Sequence, residues 1–432
     1  MRATSLNIIA EVEKGGYLDH AIDRYFTDRK IPDHLHGIIY EIASGVIRWK
    51  GYLDWIASHL AKKSIKRHIR YLLWITLYQI TFMKKASYHV VNEAVEYAKK
   101  MEGRYVAGFV NAILRRYIRE YIEDTRDKTR DSVNVCIPQK QKSEIKRLSI
   151  IHSFPEWLIR RWHERFGQDD TEKLCAALNK VPRFAIRIDT KRMDMDHVMD
   201  YLEKKGIKTE KGRYVESSLY VDRLTPVIKD SLFKQGIIHI QDEASQLAGV
   251  ALDPRQGDII LDACCGLGTK TEQIKGLEGH IRLYSMDIDM NKLISMDKEG
   301  KYIICGDVLL RPFREKLFDK ILLDAPCSST GIIRKHPEIK WRLREKDIKR
   351  HGRNQVAMLK ALWGCLKDKG YLVYSVCSFE PEETWGVLDE FSRENEFIVE
   401  NPLPLLFNKE YFMSLPHETD LDGFFIVRLR KP

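Results

Sequence analysis

No Cys-x-x-Cys pair and no cluster of histidines occurs in the 432 residues, which removes the usual spacings of a structural zinc site and leads us to expect no metal. Cysteine is sparse as well. The 8 cysteines, at positions 136, 175, 264, 265, 305, 327, 365 and 377, have neither the density nor the spacing of a disulfide framework, so a reducing cytoplasm is the expected location. Long apolar runs are also missing. The longest, residues 71–83, contains Gln79, Thr76 and Thr81 and is too short to cross a bilayer, so no membrane partner is expected. Glu11, Glu13 and Lys14 interrupt the first apolar segment before a secretory core forms. Internal repeats and low-complexity stretches are absent.

What is present is an ordinary globular composition, 44% hydrophobic and 31% charged, in a chain long enough for two or three domains. The net charge of +10 is unevenly placed: residues 1–130 carry 23 Lys+Arg against 15 Asp+Glu. Clustered positive charge is the footprint of a polyanion partner, although basic helix faces are more often only solvated.

Residues 1–123 read as helical throughout. In 109–121, FVNAILRRYIREY, the residues Val110, Ile113, Leu114, Tyr117, Ile118 and Tyr121 share one face, while Arg115, Arg116 and Arg119 gather opposite. Lys62, Lys63, Lys66, Arg67 and Arg70 form a second basic run. Both are candidates for phosphate contact. A polar, charged stretch marks a linker, placed at 124–149. Residues 154–179 look helical, and strands near 184–188 and 237–240 flank a helix at 197–205, giving a small α+β subdomain within 150–240. From 241 to 432 strands at 259–261, 281–286, 302–305, 318–323, 371–376 and 424–429 alternate with helices, the clearest at 343–366, and predict a doubly wound parallel sheet.

In such a sheet the groups just beyond the strands' carboxyl ends face the ligand crevice. Three endings stand out. ILLDAPCSSTG (321–331) places Asp324 and Cys327 there, and GYLVYSVCS (370–378) places Cys377 there. LDACCGLGTKT (261–271) is a glycine-bearing turn suited to close approach by a ligand. Lys270 and Thr271 invite a P-loop reading, but Thr269 and Cys264 stand where its glycines are needed, which excludes ATP hydrolysis on that pattern. Asp287, about twenty residues beyond the turn, suits ribose hydroxyls. Asp307 could accept from an adenine amino group or cap a helix, and Asp289 is read as a helix cap.

An adenosyl cofactor held this way serves dehydrogenases and methyltransferases alike. The cysteines discriminate. Methylation at carbon 5 of a pyrimidine needs a thiolate at carbon 6, then loss of the carbon 5 proton and expulsion of the thiol. Hydride transfer needs no cysteine pair. Spacing alone does not decide which cysteine attacks.

DAPCSSTG followed by IIRKHPEIKW, then YSVCSFEPEE and a terminal DGFF, resemble the Sun/Fmu (RsmB-like) branch of the RNA cytosine-C5 methyltransferases. The resemblance extends to QDEAS (241–245), to the RFAIRIDT strand and to a NusB-like region around NEAVEYAKK and FVNAILRR. It implies three folds: an all-α NusB-like domain (1–123), a small α+β, RRM-like subdomain, and a Rossmann-like class I methyltransferase domain (241–432). It also implies S-adenosyl-L-methionine as cofactor and an exposed cytosine of 16S ribosomal RNA as substrate, with the protein acting as a monomer. Residue by residue, it makes Cys377 the nucleophile, Cys327 the residue assisting release, and Asp324 a contact of both base and cofactor. The cofactor turn maps to Cys264, Cys265, Gly266, Leu267, Gly268, Thr269 and Lys270, with Asp287 at the ribose and Asp307 at adenine.

The turn departs from the family's CAAPGGKT by lacking the proline and one glycine, which bears on cofactor affinity. The segment between Asp287 and Asp307 is several residues short, and Thr384 stands where asparagine is usual. Two other readings remain: an RNA-binding protein whose cofactor site has lapsed, and a DNA methyltransferase attacking through Cys327, for which no target-recognition region is evident.

Overall fold

Apolar residues at helical spacing account for the first part of the chain, and the computed structural model, which describes residues 1–123, 143–296 and 301–432, shows what they bury. Two compact units form, one from Met1–Lys180 with Ile333–Arg342, the other from Val181–Ile332 with Leu343–Pro432.

The first unit is helical. Its helices include Arg2–Val12, Leu18–Asp28, Asp33–Ala61, Arg67–Thr81, Ser87–Glu102 and Arg104–Tyr117, around a core that holds Ile8, Ile42, Leu53, Leu73, Ala94 and Val110. Helix Arg67–Thr81 is buried on nearly every face, which is why residues 71–83 look so apolar. Its polar interruptions have partners: Arg2 reaches Thr76 Oγ1 and Gln79 Oε1, each at 3.2 Å. Among the described residues no helix is long and apolar enough to cross a membrane. The predicted face of 109–121 is buried at Val110, Ile113, Leu114 and Tyr117, whereas Ile118 and Tyr121 are half-buried in a wider terminal turn, Ile118–Glu123. Of the expected linker, residues 124–142 lie outside the described residues and Glu144–His152 is a helix. Glu156–Asn179 follows, bent at Gly167.

Residues Ile333–Arg342, far downstream, complete this unit. Lys340 is wholly buried there and donates to Arg48 O at 3.1 Å, Ser153 O at 3.2 Å and Asn179 Oδ1 at 2.5 Å, with Nζ 3.7 Å from the Phe154 ring centre. Trp341 Nε1 donates to Ile47 O at 2.8 Å, and Glu338 Oε1 accepts Leu18 N–H at 3.2 Å.

The second unit opens with a four-stranded antiparallel sheet of β1 (Phe184–Ile188), β2 (Thr209–Lys211), β3 (Ser218–Val221) and β4 (Ile238–Ile240), in the order β2-β3-β1-β4. One helix follows β1 and two short ones follow β3, the split βαβ arrangement. Its polar residues continue into the larger fold: Arg187 Nε donates to Gln241 Oε1, and Gln241 Nε2 to Gln273 Oε1, both at 2.7 Å.

The larger sheet has eight strands: β5 (Ile259–Asp262), β6 (Arg282–Asp287), β7 (Lys301–Cys305), β8 (Phe318–Asp324), β9 (Leu366–Val376), β10 (Ile398–Glu400), β11 (Tyr411–Ser414) and β12 (Phe424–Arg430). Their order is β10-β12-β9-β8-β5-β6-β7, with β11 beside β12. Strands β5 to β9 form the parallel, doubly wound part that the sequence predicted, while β12 runs antiparallel to β9, β10 and β11, so the sheet is mixed at that edge. β11 and β12 are joined by only a single helical turn, Pro416–Thr419, too short for the crossover that parallel pairing requires. The order reverses between β5 and β8, which makes their carboxyl ends the ligand crevice.

Candidate active site

Each parallel strand from β5 to β8 delivers a carboxylate at or just beyond its carboxyl end: Asp262, Asp287, Asp307 and Asp324. β9 delivers Cys377 instead. Adjacent parallel strands thus bring side chains more than a hundred residues apart to one edge.

Asp324 Oδ2 accepts from Lys270 Nζ at 2.6 Å and its Oδ1 from Ser375 Oγ at 2.8 Å. Lys270 is 12% exposed. Burial works against its charge, but the attraction of Asp324, reinforced by Cys377, holds its pKa above the ordinary lysine range. A charge-assisted contact of this kind fixes the carboxylate's orientation at the crevice.

Cys327 and Cys377 place their Sγ atoms 3.2 Å apart, a thiol contact and not a disulfide. Ser329 Oγ lies 3.5 Å from Cys377 Sγ and 3.8 Å from Cys327 Sγ. The hydrogen bond with Cys377, then burial, then the charges of Cys377 and Glu383, push the Cys327 thiol far up. The loop between Asp324 and Gly331 is held from several sides. Gln355 Nε2 donates to Pro326 O at 2.9 Å, and Gly331 N–H to Cys377 O at 3.1 Å. Gly423 N–H reaches Gly331 O at 2.9 Å, and a Cβ on Gly423 would sit 2.7 Å from both Gly331 Cα and Phe379 Cδ1. The close approach explains why the terminal DGFF needs its glycine.

In the glycine turn, Gly266 and Gly268 take left-handed conformations, with φ of +57° and +83°. Thr269 opens the helix Thr269–Leu277, Leu267 is exposed, and Cys265 is buried with its Sγ 3.8 Å from Met296 Sδ. Burial raises the thiols of Cys264 and Cys265 well above their ordinary value. Asp287 accepts Gly266 N–H and Asp289 N–H, each at 2.9 Å, tying the turn to the tip of β6. Asp307 caps the turn Val308–Leu310 through Leu309 N–H at 2.9 Å, and Asp289 caps the five-residue helix Met290–Ile294. This short helix stands where the sequence is several residues short, and residues 297–300 lie outside the described residues.

Three contributors escaped the sequence reading. Asp262, wholly buried, accepts from Thr271 Oγ1 at 2.7 Å, leaves Oδ1 without a partner and is raised to about 7, chiefly by burial. Ser375 orients Asp324, and Glu383 is buried behind the cysteines. Only their contacts across the sheet mark them; an aspartate closing an apolar strand was the one signal available for Asp262.

The basic candidates lie in the helical unit. Lys62, Lys63 and Arg67 are exposed. Lys66 pairs with Glu102 at 2.6 Å, Arg116 with Glu120 at 2.7 Å and Arg119 with Glu120 at 3.6 Å, while Arg70 lies 3.5 Å from Asp54. Arg115 Nε donates to Asn111 Oδ1 at 3.0 Å. Among the described residues no group of three or more His, Cys, Asp or Glu could hold a metal ion.

Residues 249–430 match the family described as 16S rRNA methyltransferase RsmB/F, residues 1–119 the NusB family, and residues 154–228 the ferredoxin-like domain of RsmF/B-like methyltransferases. The chain is 30% identical over 429 residues to ribosomal RNA small subunit methyltransferase B of Pasteurella multocida, covering 93% of this chain and 91% of that protein. It is 29% identical over 454 residues to the protein of the same name from Vibrio vulnificus, covering 100% and 99%. The crystal structure of PH0851 superposes with a TM-score of 0.78 at 23% identity, covering 100% of this chain and 99% of that one. That of NSun6 from Pyrococcus horikoshii with SFG gives 0.57 at 21%, covering 65% and 99%. At these identities the two structures share the fold.

Proposed function

The chain belongs to the 16S rRNA methyltransferase RsmB/F family, with a NusB domain and a ferredoxin-like domain ahead of a Rossmann-like methyltransferase domain, and from that premise we propose that it methylates carbon 5 of an exposed cytosine through a covalent cysteine adduct. The observation that carries the proposal is the 3.2 Å approach of Cys327 and Cys377 beside Asp324.

S-adenosyl-L-methionine would lie along the carboxyl ends of β5 to β8, and the residues suit it. The glycine turn opens backbone beside a helix start, Asp262 keeps a buried oxygen without a partner, and the carboxylates favour a cationic cofactor. When bound, it supplies the methyl group.

Cys377 adds to carbon 6 as the thiolate. Lys270, already drawn to the Cys377 charge, stabilises that form, and Cys327 donates its thiol hydrogen toward it. Asp324 holds the base's polar edge. After methylation the carbon 5 proton leaves to a base, the C6–S bond breaks, and Cys377 recovers its electron pair. Cys327 assists this release. A thiol reaches carbon 6 only when the base is unstacked, so loop or single-stranded RNA is the substrate form.

The test pairs Cys377→Ala and Cys327→Ala with a 16S transcript and labelled cofactor. Cys377→Ala is expected to abolish transfer, and Cys327→Ala to accumulate a denaturation-resistant protein–RNA adduct. An adduct from Cys377→Ala would overturn the roles. Calorimetric titration with S-adenosyl-L-methionine separates this reading from an RNA-binding protein with a lapsed cofactor site, which would give no binding heat.

A further inference from the structure

Glu383 lies in the turn Pro381–Glu383 after the Cys377 loop and is wholly buried. Its carboxylate is shared by both cysteine-bearing loops. Oε1 accepts Ser328 N–H at 2.7 Å, and Oε2 accepts the hydroxyls of Ser328 and Ser378, each at 2.5 Å. Ser328 directly follows Cys327, and Ser378 directly follows Cys377. The two hydroxyl oxygens are 3.3 Å apart, and Thr330 Oγ1 is 3.1 Å from Ser378 Oγ.

Burying a carboxylate is unfavourable unless donors replace its water. Apolar packing would join two loops at no such cost. A shared carboxylate adds something that packing does not: a fixed geometry, since three donors converge on two oxygens. The geometry is further anchored because Tyr374 OH donates to Glu383 O at 2.6 Å and to Gln355 Oε1 at 3.1 Å, while Gln355 holds Pro326 O. Each loop is thus tied to the same carboxylate one residue beyond its sulfur.

We propose that Glu383 is a positioning residue for methyl transfer: by holding Ser328 and Ser378 on one carboxylate, it sets the close approach of the Cys327 and Cys377 sulfurs. The inference rests on reading that pair as the reacting site.

The experiment uses disulfide formation as a ruler. Full-length protein is treated with diamide, which takes two electrons and two protons from the thiol pair as the S–S bond forms, and the Cys327–Cys377 disulfide is quantified by peptide mass spectrometry. Glu383→Gln is expected to slow it about tenfold, because the bond forms only within a narrow Cβ–Cβ range. In parallel, kcat should fall about 10²-fold, the scale of loss for a displacement of about 1 Å, with KM for S-adenosyl-L-methionine unchanged. Wild-type rates of both reactions in folded Glu383→Gln would overturn the proposal. If that variant does not fold, Ser328→Ala and Ser378→Ala each remove one tie and are read the same way; wild-type rates in both overturn it equally. The ruler works without RNA, so a wild-type protein that fails to methylate cytosine counts against the proposed function and leaves the positioning role to be decided by the disulfide rates.

Discussion

Lys270 Nζ stands 2.6 Å from Asp324 Oδ2, which joins the glycine turn after β5 to the tip of β8 where the strand order reverses. A single ion pair therefore joins the glycine turn to the strand end that leads into the Cys327 loop. The pairing leaves Lys270 charged within reach of the Cys377 field.

Lys270→Met should lower kcat far more than it raises KM for RNA, and should move the rising, acid-side limb of the pH–rate profile to higher pH. A thiolate that loses a neighbouring cation forms at higher pH. Single-turnover rates between pH 6 and 9 check this. An unmoved midpoint would show that Lys270 does not bear on the nucleophile.

Asp262 titrates near 7 in the fold against about 3.8 when unfolded. Between those values the native state binds the extra proton, so stability falls as pH rises from about 4 to about 7. Asp262→Asn removes this penalty and still accepts the Thr271 hydroxyl. Its melting-temperature advantage over the wild type should grow across that window and then level off, as scanning calorimetry would measure.

Lys340 lies buried without a carboxylate among its hydrogen-bond acceptors, and burial, then the nearby Arg48 charge, lower its pKa well below the ordinary lysine value. Burial thus works against the ammonium that the three acceptors favour, and to the extent that the folded pKa lies below the unfolded value of about 10.4, wild-type stability is lost as pH falls through that window. Lys340→Ala removes the donor to Asn179 Oδ1, Ser153 O and Arg48 O and leaves a cavity, and should cost about 2–4 kcal/mol. Urea titration followed by tryptophan fluorescence measures the loss.

If the basic runs bind RNA phosphates, Lys62, Lys63 and Arg67 are the better donors, because Lys66 and Arg116 already hold carboxylates. Replacing all three by alanine should weaken transcript binding and reduce the slope of log K against log salt by about 2, at about 0.7 per single-strand phosphate. Arg116→Ala should change the slope little. Filter binding over a salt series distinguishes the two.

The sequence exposed the parts of the site that lie at strand ends, because an apolar run stopped by Asp, Pro and Cys reads the same in one dimension as in three. Asp324, Cys327 and Cys377 belong to that class. It could not expose Glu383 or Ser375, whose roles arise from neighbours on adjacent strands 51 to 55 residues away. Strands β2, β3, β10 and β11 span only three or four residues and carry too few positions for an alternation to register. The mixed sheet followed from the same blindness, since the direction of β12 is set by pairings that periodicity does not encode. Asp307 shows the converse, a residue whose cap contact is local and was legible as one of two readings.

The placement of Ile333–Arg342 in the helical unit fixes an order of events during synthesis. Residues 1–180 leave the ribosome without Glu338, Lys340 and Trp341, so the hydrogen bonds from Lys340 and Trp341 to the carbonyls of Arg48, Ser153 and Ile47 form only after some 150 more residues are made. The helical unit reaches its final form only once the chain beyond the Cys327 loop has emerged. It is first in sequence and among the last parts to be finished.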